Sequence, residues 1–160
     1  MVVAHSPSSS APDTAGLLCR AVQHPAELAV HHRIRHEVFV LEQGLFPQGD
    51  LDEHDADAAT IHVLGFDGGV PAGTVRLYPI GGRRWKGDRL AVLPDHRRSG
   101  LGAPLVRHAV ATAGALGGTR MVAQIQASNV RFFEALGWTP VGAPAEYVGL
   151  LHQQMSIALR

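Results

Sequence analysis

The chain has 160 residues, enough to bury one sizeable core and short for two domains. Lys and Arg number 14, as do Asp and Glu, so no basic face of the kind nucleic acid requires is expected. Apolar residues make up 46% without any run long enough to span a membrane, which excludes a disordered chain and a helical membrane protein.

The opening residues, MVVAHSPSSSAPDTAG, have neither a basic start nor a long apolar stretch. They are expected to form a flexible leader, 1–16, and not a signal peptide. A cytoplasmic location is expected, with which a single cysteine, Cys19, agrees. One domain is expected over 17–160. LLCRAVQ (17–23) predicts a first strand, with Cys19 a small buried hydrophobe at its edge. PAELAVHHRIRHEVFV (25–40) opens on a proline suited to a first helical turn; Leu28, Ile34, Val38 and Leu41 give it an imperfect apolar face. LFPQGDLDEHDADAA (45–59) is an acidic loop. TIHVLGF (60–66) and VPAGTVRLYPI (70–80) are β-rich runs whose DGG spacer marks a hairpin. RLAVLP (89–94) is a strand stopped by Pro94. Leu105, Val106, Ala109, Val110, Ala113 and Leu116 recur at helical spacing over 103–116, and Gly117 and Gly118 end that helix. MVAQIQ (121–126) predicts a strand, SNVRFFEAL (128–136) a short capped helix, and QQMSIAL a last strand. The pattern is α+β.

The stretch DHRRSGLGAPLV (95–106) sits in a strand–turn–helix context. A helix N-terminus has unpaired N–H groups and partial positive charge. Gly100 and Gly102 let a bulky anion approach the backbone, and Arg97 and Arg98 add charge, so the turn suits phosphate oxygens. It is not a P-loop, since no lysine follows Gly102, and not a dinucleotide fingerprint, since Leu105 stands where a third small residue is needed.

What remains, Arg97-x-x-Gly100-x-Gly102, resembles the pyrophosphate loop of the GNAT superfamily, the Gcn5-related N-acetyltransferases. NVRFFEALGW (129–138) resembles that superfamily's next helix. The resemblance implies a mixed, mostly antiparallel sheet with one splayed parallel strand pair and helices on both faces. It implies acetyl-CoA as donor, bound where strands 89–94 and 121–126 part. Pantetheine would pair with Leu90, Ala91 and Val92. The pyrophosphate would lie on Arg97, Arg98, Ser99, Gly100, Leu101, Gly102 and Ala103. Asn129 aligns with an asparagine that contacts the CoA arm and doubles as a helix cap. Phe133 stands where the family's thiolate-side tyrosine is usual, and it cannot donate a proton.

In the N-terminal half, Arg35-x-x-x-Phe39, Asp52-x-x-Asp55 and Arg76 resemble a GNAT branch that shares features with acyl-homoserine-lactone synthases. The synthases' catalytic glutamate falls on Lys86. The resemblance implies a small-molecule amine acceptor and is compatible with a homodimer. Arg35, Phe39 and Arg76 are candidate acceptor-binding residues, although the arginines could equally pair with Asp52 and Asp55 and pin the acidic loop. Glu42 and His152 are candidate base and acid. His62 reads as a packed cross-strand histidine. No metal is expected: His32 and His36 have i, i+4 spacing without a third ligand, and GDLDEHDAD lacks the glycine and closing glutamate of a calcium loop. An N-acetyltransferase of small amines is thus the expected function. A synthase-like acyltransferase and a non-catalytic acyl-CoA-binding domain are the alternatives.

Overall fold

The computed structural model describes residues 3–4 and 16–160, so the expected leader falls mostly outside the described residues. Strand β1 is the short Val3–Ala4 segment. β2 (Leu17–Ala21) pairs antiparallel with β3 (Ile61–Asp67), and β3 with β4 (Val70–Gly81). Gly68 and Gly69 make the hairpin turn, both at positive φ (59° and 83°), as a primed two-residue turn requires.

β4 pairs antiparallel with β5 (Arg84–Val92), which begins well before the predicted start at 89. The reason is chemical: Lys86 and Asp88 face a polar surface, so the apolar pattern breaks where the strand does not. β5 runs parallel to β6 (Arg120–Gln126), but only Arg84–Lys86 keep register, with Arg120–Val122. Beyond that point the two strands part. A bulge in β5 lies just beyond the split. Thr74 pairs with Ala91 and Arg76 with Asp88, so Arg89 and Leu90 together oppose Val75. Arg89 takes a left-handed φ of 52°, held by Thr74 Oγ1 donating to its carbonyl at 2.8 Å. β6 pairs along its length with β9 (Leu150–Ala158), whose far side carries β7 (Thr139–Pro140) and β8 (Ala145–Tyr147).

Helix α1 (Pro25–Arg35) continues as a π-helical segment over His36–Glu42. It packs Ile34, Val38 and Phe39 on Leu64 and Ala91. Leu41, expected on the apolar face, is 70% exposed because the wider turn carries it off that face. α2 (Gly102–Ala115) covers the opposite sheet face, packing Leu105, Val106 and Ala109 on Val63, Leu90 and Val92. Close approach there needs Gly73, where an added Cβ would lie 2.8 Å from Leu105 Cδ1 and 3.0 Å from Leu101 Cδ2. α3 (Val130–Ala135) follows β6. Cys19 is half-buried against the α2-side core, and burial pushes its thiol up to about 11. The mixed sheet with helices on both faces is the architecture expected. No helix among the described residues is long and apolar enough to cross a membrane.

Candidate functional site

The glycine-rich turn is a 3₁₀ segment, Pro94–Ser99, ended by Gly100 in the left-handed region at φ 79°. Leu101 is fully buried and bolts the turn to the sheet. Leu101 also precedes α2 without any side-chain cap, so the first-turn amides of Gly102 and Ala103 have no intrahelical partner. Ser99 Oγ donates to the His96 carbonyl at 2.6 Å, which fixes the turn. Arg97 is not aimed at a phosphate. Its Nε donates to the Val92 carbonyl at 3.0 Å, and its two terminal nitrogens reach Glu42 at 2.7 and 2.6 Å. Arg98 is exposed on the same turn.

The parting of β5 from β6 leaves a backbone edge. Leu93 N–H donates to Ala72 on β4 at 2.8 Å. N–H groups alternate sides along a strand, so those of Val92 and Leu90 point away from β4, into the gap. At Leu90 and Ala91 this edge is taken by β1, which pairs in parallel through Val3 and Ala4. An extended chain thus fits the edge at Leu90 and Ala91.

The end of the π-helical segment straddles the mouth of the gap. Glu42 holds the turn after β5 through Arg97. Gln43 accepts from Gln126 Nε2, at the end of β6, at 3.1 Å. Neither Gln43 nor Gln126 was expected at the site; each is an ordinary polar residue at the end of an element, without a motif to mark it. Glu42, the expected base, has both oxygens committed to Arg97. His152 pairs with Gln126 across β6 and β9 and is 1% exposed. Its Nδ1 lies 2.9 Å from the Leu150 carbonyl, so Nδ1 carries the proton and Nε2 keeps its lone pair. Nε2 is buried without a hydrogen-bond partner among the described residues. Burial holds the imidazole pKa below its ordinary value. Tyr147 on β8 packs edge-on to this ring, with centroids 5.5 Å apart. On the same sheet face as α1, Tyr147 also borders an open cleft of about 360 Å³ whose walls include Phe46, His54, Tyr78, Lys86 and Arg89.

Arg35, Phe39 and Arg76, expected to bind the acceptor, are each 0% exposed, which corrects that expectation. Arg35 meets Asp50 at 2.7 Å and Asp55 at 2.7 and 3.0 Å. Arg76 meets Asp88 at 2.7 and 2.6 Å and Asp52 at 2.6 and 3.0 Å. Arg89 completes the network on the Asp50 carbonyl at 2.8 Å. Guanidinium groups saturated by carboxylates cannot hold a substrate carboxylate as well; they pin the acidic loop to β4 and β5. Phe39 is core. Phe133 is also core, 2% exposed and edge-on to Trp138 at 5.4 Å. It lines an apolar cavity of only about 20 Å³ behind the gap, with Leu90, Met121 and Ala123. Asn129 is buried at the start of α3 and makes no capping bond from its side chain.

His32, Asp55 and His62 bring ligand atoms within 4.8 Å of one another, a grouping the sequence spacing did not reveal. His36 is exposed and outside it. His62 Nε2 donates to Asp55 Oδ1 at 3.0 Å, so this buried histidine is tied to the acidic loop. Asp55 is already spent. Arg35 and His62 share Oδ1, while Arg35, the Asp52 amide and Arg76 reach Oδ2 at 3.0, 3.0 and 3.1 Å. A divalent cation there would face two guanidinium charges, so the cluster fits the loop-pinning network and not a metal centre.

Comparisons with known proteins agree with this geometry. The family model described as "Acetyltransferase (GNAT) family" matches residues 27–138. The uncharacterized N-acetyltransferase YjcF of Bacillus subtilis (strain 168) is 29% identical over 124 residues, covering 76% of this chain and 86% of that protein. Among solved structures, Escherichia coli ElaA superposes with a TM-score of 0.78 at 21% identity, over 88% of this chain and 98% of that one. The CoA-dependent acyl-homoserine lactone synthase BjaI, solved with SAM and isopentyl-CoA, gives 0.75 at 21% identity, over 91% and 84%. With the family model spanning most of the chain and the splayed strands and glycine turn where such a fold needs them, the protein belongs to the GNAT family of acetyltransferases.

Proposed function

We propose that the protein is an acetyl-CoA-dependent N-acetyltransferase of small amines. The observation that carries this is the gap between β5 and β6, with a backbone edge at Leu90–Val92 on one side and an uncapped helix start at Gly102 below it. The edge accepts an extended chain, as β1 demonstrates. The amides of Gly102 and Ala103 would hold the pyrophosphate, with Arg98 adding charge. Pro104 has no N–H and takes no part. Arg97 acts as a positioning residue, tying the turn to Val92 and Glu42.

Acetyl-CoA bound there supplies a thioester whose carbonyl carbon is attacked by the amine, the C–N bond forming as the C–S bond breaks. Val92 N–H points into the gap and would donate to the carbonyl oxygen as negative charge develops. His152 Nε2, neutral and unpartnered, would take the proton that the amine loses. Glu42 is unsuited to that role while Arg97 occupies it. Phe133 cannot protonate the thiolate. A thiolate is a modest base and can leave without that help. An acetyl donor is favoured over a long acyl-CoA in this reading, since the apolar cavity behind the gap holds about 20 Å³, room for roughly one water.

The test is calorimetric titration with acetyl-CoA, followed by a CoA-release assay with an amine panel. Wild type should bind saturably and turn over at least one amine. Gly102→Glu, which puts a carboxylate at the phosphate position, should lose binding while remaining folded. Absence of binding by folded wild type would overturn the proposal; binding without turnover would leave only an acyl-CoA-binding domain.

A further inference from the structure

We infer that the acceptor is elongated, with its reacting amine at His152 and a negatively charged group bound by Lys86. The inference rests on the acetyltransferase reading of the same site and adds the class of acceptor.

The charged side chains around the open cleft differ in how they are satisfied. Asp50, Asp52 and Asp88 are ion-paired with Arg35, Arg76 and Arg89 at 2.6–3.3 Å, and Arg35 and Arg76 hold Asp55 as well. Lys86 is half-buried in the wall, and no hydrogen bond or ion pair joins its side chain to any of the described residues. A cation without a partner on the cleft wall leaves its charge available to an anionic ligand. Tyr78, cross-strand from Lys86, stacks on His54 at 3.9 Å and 11°, giving an aromatic wall beside that ammonium.

Register places this group relative to the chemistry. Lys86 pairs with Val122 on β6, and His152 pairs with Gln126 on the same strand. Positions 122, 124 and 126 alternate with the buried core positions Met121, Ala123 and Ile125, so Lys86 and His152 share the face turned toward α1. Four residues of strand separate them along β6, about 13 Å at the usual rise, and two strand spacings of about 4.8 Å separate β5 from β9, so the two positions lie roughly 16 Å apart. The four-carbon stem of Lys86 spans part of that interval. A ligand reaching both needs several bonds between amine and anion. An α-amino acid whose α-amine reacts is too short, whereas an ω-amino acid fits.

The experiment uses the full chain saturated with coenzyme A and titrated calorimetrically with 6-aminohexanoate, hexylamine or 1,6-diaminohexane. Wild type should bind 6-aminohexanoate at least tenfold more tightly than hexylamine. Lys86→Met should erase that preference without changing the affinity for coenzyme A. Lys86→Glu should invert it in favour of 1,6-diaminohexane. Equal affinities of wild type for 6-aminohexanoate and hexylamine overturn the inference while leaving acetyl transfer intact, as does a preference that survives in Lys86→Met. Failure of coenzyme A itself to bind overturns both this inference and the reading beneath it.

Discussion

His152 draws its chemistry from two neighbours and a lack of a third. The Leu150 carbonyl fixes the proton on Nδ1, Tyr147 covers the ring, and Nε2 is left with a lone pair and no partner among the described residues. Burial disfavours the imidazolium, so the pKa is lowered and the base form persists further into acid than for a free histidine near 6.5. The acid limb of kcat/KM should therefore fall below that value. His152→Gln should lower kcat by roughly 10²–10⁴-fold, the usual worth of a positioned base, and should remove the acid limb while acetyl-CoA affinity stays unchanged. A pH–rate series on both proteins checks this. An acid limb that persists in the variant assigns the proton transfer to another group. Glu42 was equally visible in the sequence as a candidate, but sequence spacing could not show that Arg97, far along the chain, takes both of its oxygens.

At the scale of elements, the acidic loop is stitched to the sheet by Asp55. Burial alone would raise its carboxyl pKa, but hydrogen bonds from His62 and Arg35 outweigh that and hold it well below the usual carboxylate range. A carboxyl with a depressed folded pKa stabilises the protein fully above its unfolded value near 3.9, and the contribution is lost as pH falls through the folded pKa. Asp55→Asn leaves Arg35 short of one counter-charge in a fully buried position and should cost roughly 3 kcal/mol at neutral pH. Urea unfolding of both proteins should show that gap unchanged from pH 7 down to about pH 4 and narrowing only below it. A gap that closes already between pH 7 and 5 would show that histidine protonation, not Asp55, governs the loop. This network also marks where sequence reading runs out. Glycines, proline and apolar spacing located the long helices, most of the longer strands and the glycine-rich turn, because those signals are local, but not the short strands β1, β7 and β8. The sequence offers the pairing of Arg35 with Asp55 and Arg76 with Asp52 only as one of two equal readings, while their further partners Asp50 and Asp88 and the early start of β5 at Arg84 are not legible, being set by partners remote in sequence. Pattern alone leaves a buried arginine and a substrate-binding arginine identical.

For the whole molecule, the decisive feature is competition for one strand edge. β1 pairs with Leu90 and Ala91, the backbone on which the proposal seats pantetheine, so donor binding as proposed would displace it. A ligand that meets its competent state only part of the time has its apparent affinity reduced by that fraction. Removing residues 1–15, so that the chain starts at Gly16, should therefore tighten acetyl-CoA binding. The gain is roughly tenfold if the segment holds the edge about nine-tenths of the time. The core should be untouched, because α2 and the glycine turn pack on β3, β4 and β5 without β1. Calorimetric titration of the two chains measures the difference, and a synthetic peptide of residues 1–15 added to the shortened chain should weaken binding again. An unchanged dissociation constant in a folded, shortened protein would mean that β1 leaves the edge at no cost, and the open gap between β5 and β6 would then be the resting state of the cleft.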